Sequence, residues 1–500
     1  MSPATVPASA RLRREQHHEA DVVVVGAGVF GCAMAFALAN QGRSVLLLER
    51  RMAEPDRIVG ELLQPGGMAA LRRLGLGHCV DGIDGIPCHG YHVRYNGLPV
   101  DIPYPPIEDD GDVACKWSGA STETEGKRPQ GRGFHHGRFI TKLRESCQTH
   151  ENITVVETEV TKLVRGQHSP EILGVESLTT TSEKGKRQND YFFGKLTIIA
   201  DGYDSKFRRQ VVDEKPRVRS KFYALELIDC PLPRDNFGLV VIGEAYPMVL
   251  YRIGSRETRI LIDVPVGLAA ASPAAGGVRG YIRDVAIPAL PPACRPSAEL
   301  ALSDGKIPRS MPNSWLPASP QSCQGLVLAG DALNMRHALT GGGMTVALHD
   351  ALLLAHLLHP DQLRESLDNT RAVSSAVETF YWRRKNCSSI INVLAQALYA
   401  LFAAEDRQLR ALQRGCFEYF RRGMIDGPCA LLGGILHQPS VLAYHFFSVA
   451  FLAIWLHGLA VMGEGVWAPL RAPLVLLDAV LILARASQVF LPLIWREGFR

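Results

Sequence analysis

The hydrophobic pattern of this chain changes character several times along its length. Residues 21–25, DVVVV, are a continuous β-branched run ending in glycines, as a strand buried on both faces of a parallel sheet does. GCAMAFALANQG at 31–42 then carries small and apolar residues at helical spacing, and SVLLLE at 44–49 reads as a second buried strand, so the opening predicts a β-α-β unit. From about 150 to 325 short apolar runs (ITVVET, KLTIIA, LVVIGEA, MVLYRI, TRILIDV) alternate with turn residues, the pattern of an antiparallel sheet. After Gly325 the opening style returns, with LVLAGD as a buried strand, a glycine-rich turn, and a helix from about Gly343 to Leu358. Residues 371–423 predict long helices with a mixed face.

Two stretches stand outside that pattern. The first twenty residues hold Arg11, Arg13 and Arg14 with no apolar run, which predicts a flexible lead-in, order from Asp21 onward, and no signal peptide or N-terminal anchor. Residues 105–133, PPIEDDGDVACKWSGASTETEGKRPQGRG, are polar, glycine-rich and aperiodic, and predict a mobile surface insertion.

The C-terminal stretch differs in kind. Ser440 to Gly463 contains no formally charged residue, and from Ser440 to Trp495 only Glu464, Arg471, Asp478 and Arg485 are charged, about 7% against 21% for the whole chain. The first run is long enough to cross a bilayer. His445, His457, Asp478, Arg485 and Pro492 argue against two clean spans. A helical pair dipping into one leaflet is expected, with Trp455, Trp467 and Trp495 as interfacial anchors.

Composition narrows the chemistry. A net charge of +4 over 500 residues, without a Lys/Arg-rich stripe, argues against a nucleic-acid partner. Eleven scattered cysteines without a C-x-x-C pair argue against a zinc ribbon or disulfide scaffold and for a reducing compartment. No H-E-x-x-H or clustered ligand spacing points to a metal. The adjacent pair His135-His136 points apart on either a helix or a strand, so shared ligation is not expected, and His89 and His92 read as structural. Arg383, Arg384 and Lys385 fit a solvated helix face or a surface for anionic lipid or a protein partner.

The positive signal is Gly26-Ala-Gly28-Val-Phe-Gly31, which follows a strand and opens a helix. Gly26 permits the tight turn, Gly28 lets backbone approach a pyrophosphate, Gly31 lets helix and strand pack closely, and the helix N-terminus faces the phosphates. Glu49, at the end of the second strand, is placed to accept ribose hydroxyls. Asp201-Gly202-x-x-Ser205-x-x-Arg208 and Gly330-Asp331 each follow an apolar strand, where ligands of open α/β sheets bind. Asn334 to Met344, NMRHALTGGGM, offers a second glycine-rich turn into a helix. With one G-x-G-x-x-G in the chain, a tightly held FAD without a separate nicotinamide domain is the economical reading.

GAGVFG with its terminal Glu, ADGYDSKFR and LAGDALN together resemble FAD-dependent aromatic-hydroxylase-class monooxygenases. EPDRIVGELLQPGG (54–67), FHHGRF (134–139), NMRHALTGGGMTVA (334–347) and NVLAQALYALF (392–402) resemble the squalene epoxidases more specifically, with similarity from about Asp21 to near the C-terminus. The resemblance implies an endoplasmic-reticulum membrane enzyme that converts squalene to (S)-2,3-oxidosqualene with O2 and FAD. Its electrons would come from NADPH through NADPH-cytochrome P450 reductase, and its attachment to membrane lipid would rest on the C-terminal helices. It places FAD against Val29, Phe30, Glu49, Arg50, Arg57, Arg144, Val160, Asp331, Gly343 and Met344, beside Gly26, Gly28 and Gly31, with no metal. It also implies catalytic positions at Tyr91 and Gln64, Tyr91 supporting the site through a hydrogen bond to Gln64. By its setting alone, a tyrosine after a glycine near a strand is a packed residue with a satisfied hydroxyl.

The fold class expected is α/β, a Rossmann-like FAD-binding domain interleaved with an antiparallel-sheet substrate domain, plus C-terminal membrane-associated helices. The FAD domain would comprise 21–104 (with substrate-domain strands), 134–210 and 326–370, split by the insertion 105–133. A substrate domain at 211–325, a helical region at 371–439 and membrane helices at 440–500 complete the division. Because a thirty-carbon hydrocarbon offers no polar handle, the protein has to exclude water and select by tunnel shape, and 440–495 is expected to bind the bilayer and flank the tunnel mouth. Two alternatives remain at this point: a related FAD monooxygenase acting on another prenyl or polyketide lipid, and a FAD protein that binds a lipid without oxygenating it.

Overall fold

The computed structural model describes residues 8–107, 128–180, 186–243, 245–363, 366–463 and 472–499. Val22, Val23 and Val24 are fully buried at the centre of a six-stranded sheet. The strand Glu19–Val25 pairs in parallel with Val45–Glu49 on one side and with Arg187–Ile199 on the other. Ile153–Arg165 extends the sheet in parallel beyond Val45–Glu49, and Leu326–Leu328 closes the opposite edge. Both thirteen-residue strands outrun their parallel partners, and their free ends pair antiparallel with Ile172–Thr180. Helix Val29–Asn40 follows the first glycine turn and Gly343–Leu357 follows the last.

The second sheet has seven strands in the order Arg309–Trp315, Arg217–Ile228, Glu257–Pro265, Met248–Arg252, Gly238–Ile242, Gly90–Tyr95, Leu98–Pro103. All its pairings are antiparallel except Gly238–Ile242 with Gly90–Tyr95. A three-stranded ribbon of Leu62–Leu63, Gly131–Gly133 and Ile86–Cys88 lies between the sheets in sequence. Buried Arg259 of the large sheet grips buried Glu61 of the ribbon's approach through two bonds of 2.7 and 2.9 Å. The fold therefore has the expected class, with the cofactor-type sheet and the antiparallel sheet sharing interleaved segments.

The lead-in differs from expectation. Ala8–Gln16 is a helix, tied to the sheet edge by Arg14, which is 1% exposed and donates to Thr154 Oγ1 at 3.0 Å and the Glu151 carbonyl at 2.6 Å. A single buried guanidinium anchors this helix, so hydrophobic periodicity carried no sign of it. Order accordingly begins before Asp21. Most of the expected insertion, residues 108–127, lies outside the described residues, and its last three residues form the ribbon strand Gly131–Gly133.

The helical region consists chiefly of Thr370–Ala403 and Arg407–Arg421, followed by two apolar helices, Pro439–Met462 and Ala472–Ile494. Among the described residues three helices, Thr370–Ala403, Pro439–Met462 and Pro473–Gly498, are long and apolar enough to cross a membrane, the first of them half buried inside the protein. Charges inside the last two are answered from within. Asp478 meets His457 at 2.7 Å and Arg407 at 2.8 Å, and Arg485 meets Asp406 at 2.8 Å. Glu464, Trp467 and Arg471 lie outside the described residues. The outer surface carries exposed Phe451, Trp455 (62% exposed), Leu459, Leu476 (70%), Leu477 and Val480, an apolar face larger than soluble proteins ordinarily show.

Candidate active site

The two sheets meet around a cavity of about 840 Å³. One end is the glycine turn. Gly26 has φ +103°, and a Cβ there would lie 2.4 Å from the Ala200 carbonyl oxygen; a Cβ on Gly31 would lie 1.8 Å from that of Gly26. At Gly28 a Cβ would meet nothing within 4 Å, because it would project into the cavity. Two glycines therefore serve chain packing and one keeps the approach open, the division a dinucleotide pyrophosphate requires.

Glu49 closes the second strand with Oε2 accepting the Ala27 N–H at 2.8 Å and Oε1 accepting the Arg51 N–H at 3.1 Å, leaving lone pairs for ribose hydroxyls. Arg144 lies 3.5 Å from that carboxylate and donates to the carbonyls of Ala27, Arg51, Met52 and Ala53 at 3.0–3.2 Å. Its main effect is to hold the loop that frames the cavity. Arg50 and Arg57 are exposed at the rim, Arg57 5.8 Å above the Tyr203 ring, and Val160 is buried on the adjoining strand. Val29, Phe30, Asp331, Gly343, Met344 and Tyr91 also line the cavity, while Gly31 and Gln64 do not reach its surface.

Gln64 and Tyr91 are both tied to Tyr104. Fully buried Gln64 accepts the Tyr104 hydroxyl at 2.6 Å and donates to the Thr340 carbonyl at 2.9 Å, so it ties the ribbon to the glycine-rich loop. The Tyr91 ring meets Tyr104 edge-on at 5.8 Å, and its hydroxyl interacts with the Tyr104 and Gln64 side chains without a well-aligned hydrogen bond to either. Burial pushes the Tyr91 phenol well above its ordinary range, so it stays protonated. Tyr104 is the partner sequence reasoning missed; its only signal was an aromatic flanked by prolines at the edge of the insertion.

The two strand-end motifs singled out in the sequence, Asp201 to Arg208 and Asn334 to Met344, also meet here. Arg208, from the DGYDSKFR motif, donates to the carbonyls of Tyr203, Asp331 and Ala332 at 2.8–3.0 Å, clasping the two strand-end turns together. Asp201 accepts the Lys206 N–H through one oxygen, while its other oxygen is buried without a partner on the cavity wall, and burial raises its carboxyl. Arg336 Nε and Thr340 Oγ1 are likewise buried, unpartnered and at the cavity wall. Three buried polar atoms left unsatisfied around one space are what a polar cofactor would satisfy, and with the open Gly28 they make the residues present fit FAD.

Beneath the NMRHALTGGGM loop lies a buried ionic network. Arg336 donates to the Asn334 carbonyl and side chain at 2.8 Å, Arg384 forms a buried pair with Asp350 at 2.6 Å, and Asn392 bridges Asn334 and Glu497. Arg384 thus points inward, and the 383–385 cluster is no single basic surface; Lys385 lies over the Tyr381 and Trp382 rings. Glu497, three residues from the C-terminus, is 4% exposed and also receives Trp315 Nε1 at 3.4 Å. A second buried chain fixes the loop's middle, with His337 3.1 Å from the Ser220 hydroxyl, which donates to Asp263.

The opposite end of the cavity is one apolar face of the seven-stranded sheet, including Val240, Val249, Tyr251, Leu261 and Met311. A smaller apolar cleft of about 90 Å³ lies among Thr370–Ala403, Arg407–Arg421 and the terminal helices, lined by Leu398, Leu412, Phe446 and Phe490.

Comparison with known proteins is consistent along the whole chain. Residues 193–466 match the family described as squalene epoxidase, and residues 21–55 match FAD dependent oxidoreductase. The chain is 64% identical to a squalene epoxidase of Gibberella zeae over 98% of its own length and 97% of that protein's. It is 38% identical to a squalene epoxidase of Saccharomyces cerevisiae, covering 95% and 96% of the two. Among solved structures, p-nitrophenol 4-monooxygenase from Pseudomonas putida shares the fold at TM-score 0.60 and 17% identity, over 86% of this chain and 98% of that one.

Proposed function

Because this chain belongs to the squalene epoxidase family, we propose that its cavity carries out FAD-dependent epoxidation of squalene to 2,3-oxidosqualene, a step of sterol biosynthesis. The observation that carries the reading is one continuous cavity with a dinucleotide turn at one end and a hydrocarbon-lined sheet face at the other. FAD held here would supply, once reduced and in the presence of O2, an oxygen electrophilic enough to be transferred to an electron-rich alkene.

The protein's own part is binding, orientation and water exclusion. Gly26, Gly28 and Gly31 shape the pyrophosphate seat, Glu49 takes the ribose, Arg144 and Arg208 lock the surrounding turns, and the 334–344 loop closes over the far side. The Val240, Val249, Leu261 and Met311 face gives the alkene a dry slot whose shape sets how far the chain enters. Tyr91 faces that slot as a neutral phenol with an uncommitted hydroxyl, and Gln64 acts behind it as a positioning residue through Tyr104 and Thr340.

Electrons come from NADPH through cytochrome P450 reductase in this reading, which the single G-x-G-x-x-G supports. The exposed apolar face of the terminal helices supports attachment to the endoplasmic-reticulum membrane, where squalene dissolves, and the apolar cleft at their base supports uptake from the lipid side. Purified protein incubated with squalene, NADPH and P450 reductase should yield 2,3-oxidosqualene; NADPH consumption without epoxide would overturn the assignment.

A further inference from the structure

Outside the cavity, His349, Cys387 and His437 bring their ligand atoms within 4.8 Å of one another. They come from three separate elements: His349 from the helix Gly343–Leu357, Cys387 from the helix Thr370–Ala403, and His437 from the turn that precedes Pro439–Met462. The Nε2 atoms of both histidines are buried and have no hydrogen-bond partner among the described residues. The rings meet edge-on at 5.2 Å.

We propose that these three side chains form a structural metal site of the His2Cys type, suited to Zn2+, with a water molecule in the fourth position. For three atoms so spaced, some point lies no more than about 2.8 Å from each, so inward shifts of roughly 0.5–0.8 Å reach the 2.0–2.3 Å of Zn–N and Zn–S bonds. Metal binding satisfies two buried ring nitrogens that nothing else among the described residues satisfies.

The site's position gives it a purpose. His349 lies on the helix that begins with Gly343 and Met344 at the cavity, and His437 lies two residues before the first apolar terminal helix. A metal here ties the membrane-facing pair to the cofactor end of the molecule and leaves the reaction itself untouched.

The test uses the full-length flavin-loaded protein, stripped with a chelator and titrated with Zn2+ against a chromophoric competitor, and separately with Co2+. One Zn2+ per chain and cobalt ligand-field bands at wavelengths beyond the flavin absorption are expected. Cys387→Ser and His437→Gln should each weaken Zn2+ affinity at least tenfold, with flavin content and metal-free melting temperature as checks that the variants fold. Substoichiometric Zn2+ and absent cobalt bands in the folded parent protein would overturn the site, as would unchanged affinity in both variants.

Discussion

Gly28 and Gly31 sit three residues apart in one motif and exclude a side chain for opposite reasons. At Gly31 a methyl collides with backbone, whereas at Gly28 it enters open cavity. Gly31→Ala should therefore lower the melting temperature and yield of the apoprotein. Gly28→Val should leave the apoprotein fold intact and cut bound flavin, read as absorbance ratio after purification, by tenfold or more. The motif was legible from the sequence because its chemistry is local. The Gln64–Tyr104 bond was not, because forty residues of intervening chain hide it. Tyr104→Phe strands the Gln64 carbonyl and should cost about 1–3 kcal/mol in unfolding free energy. Tyr91→Phe removes a hydroxyl that has no well-aligned hydrogen bond among the described residues, so its stability should change little while epoxide formed per NADPH consumed reports on any role at the slot.

Among the elements, strands and helices with a continuous apolar pattern were readable, and those held by ions were not. Val22 to Val25 announced a central strand, but the helix Ala8–Gln16 depends on one buried Arg14, and the 383–385 run looked like a surface although Arg384 is spent on Asp350. Breaking that last pair leaves a buried charge alone. Asp350→Asn should cost about 3–5 kcal/mol and loosen the 334–344 loop, so that flavin dissociates faster in a stopped dilution than it does from the parent protein. The terminal helices were legible as apolar, but not as internally neutralised, since Asp406 and Arg407 lie more than seventy residues from Arg485 and Asp478.

For the molecule as a whole, surface and titration follow from the same burial. Trp455, Leu459, Leu476 and Val480 face outward from the terminal helices, so converting them together to Lys or Glu should move the protein from the membrane pellet to the supernatant without lowering its melting temperature. Truncating the tail would be a poorer test, because it also removes Glu497 from the core. Acid should act through His136, whose ring sits against the Gly60 carbonyl at 2.9 Å and whose pKa burial lowers from 6.5 to about 4. The unfolded chain takes up that proton first, so this contribution is complete above about pH 6.5 and drains away as pH falls toward 4, about 3 kcal/mol in all. His136→Asn, which keeps a donor for Gly60, should flatten that part of the stability profile when the two proteins are compared by denaturant titration at pH 7 and pH 4.5. Glu497 carries one more implication. The carboxylate that braces Asn392 beneath the 334–344 loop sits just past the helix Ala472–Ile494, so a displacement of that apolar helix is felt from below by the loop that lines the cavity.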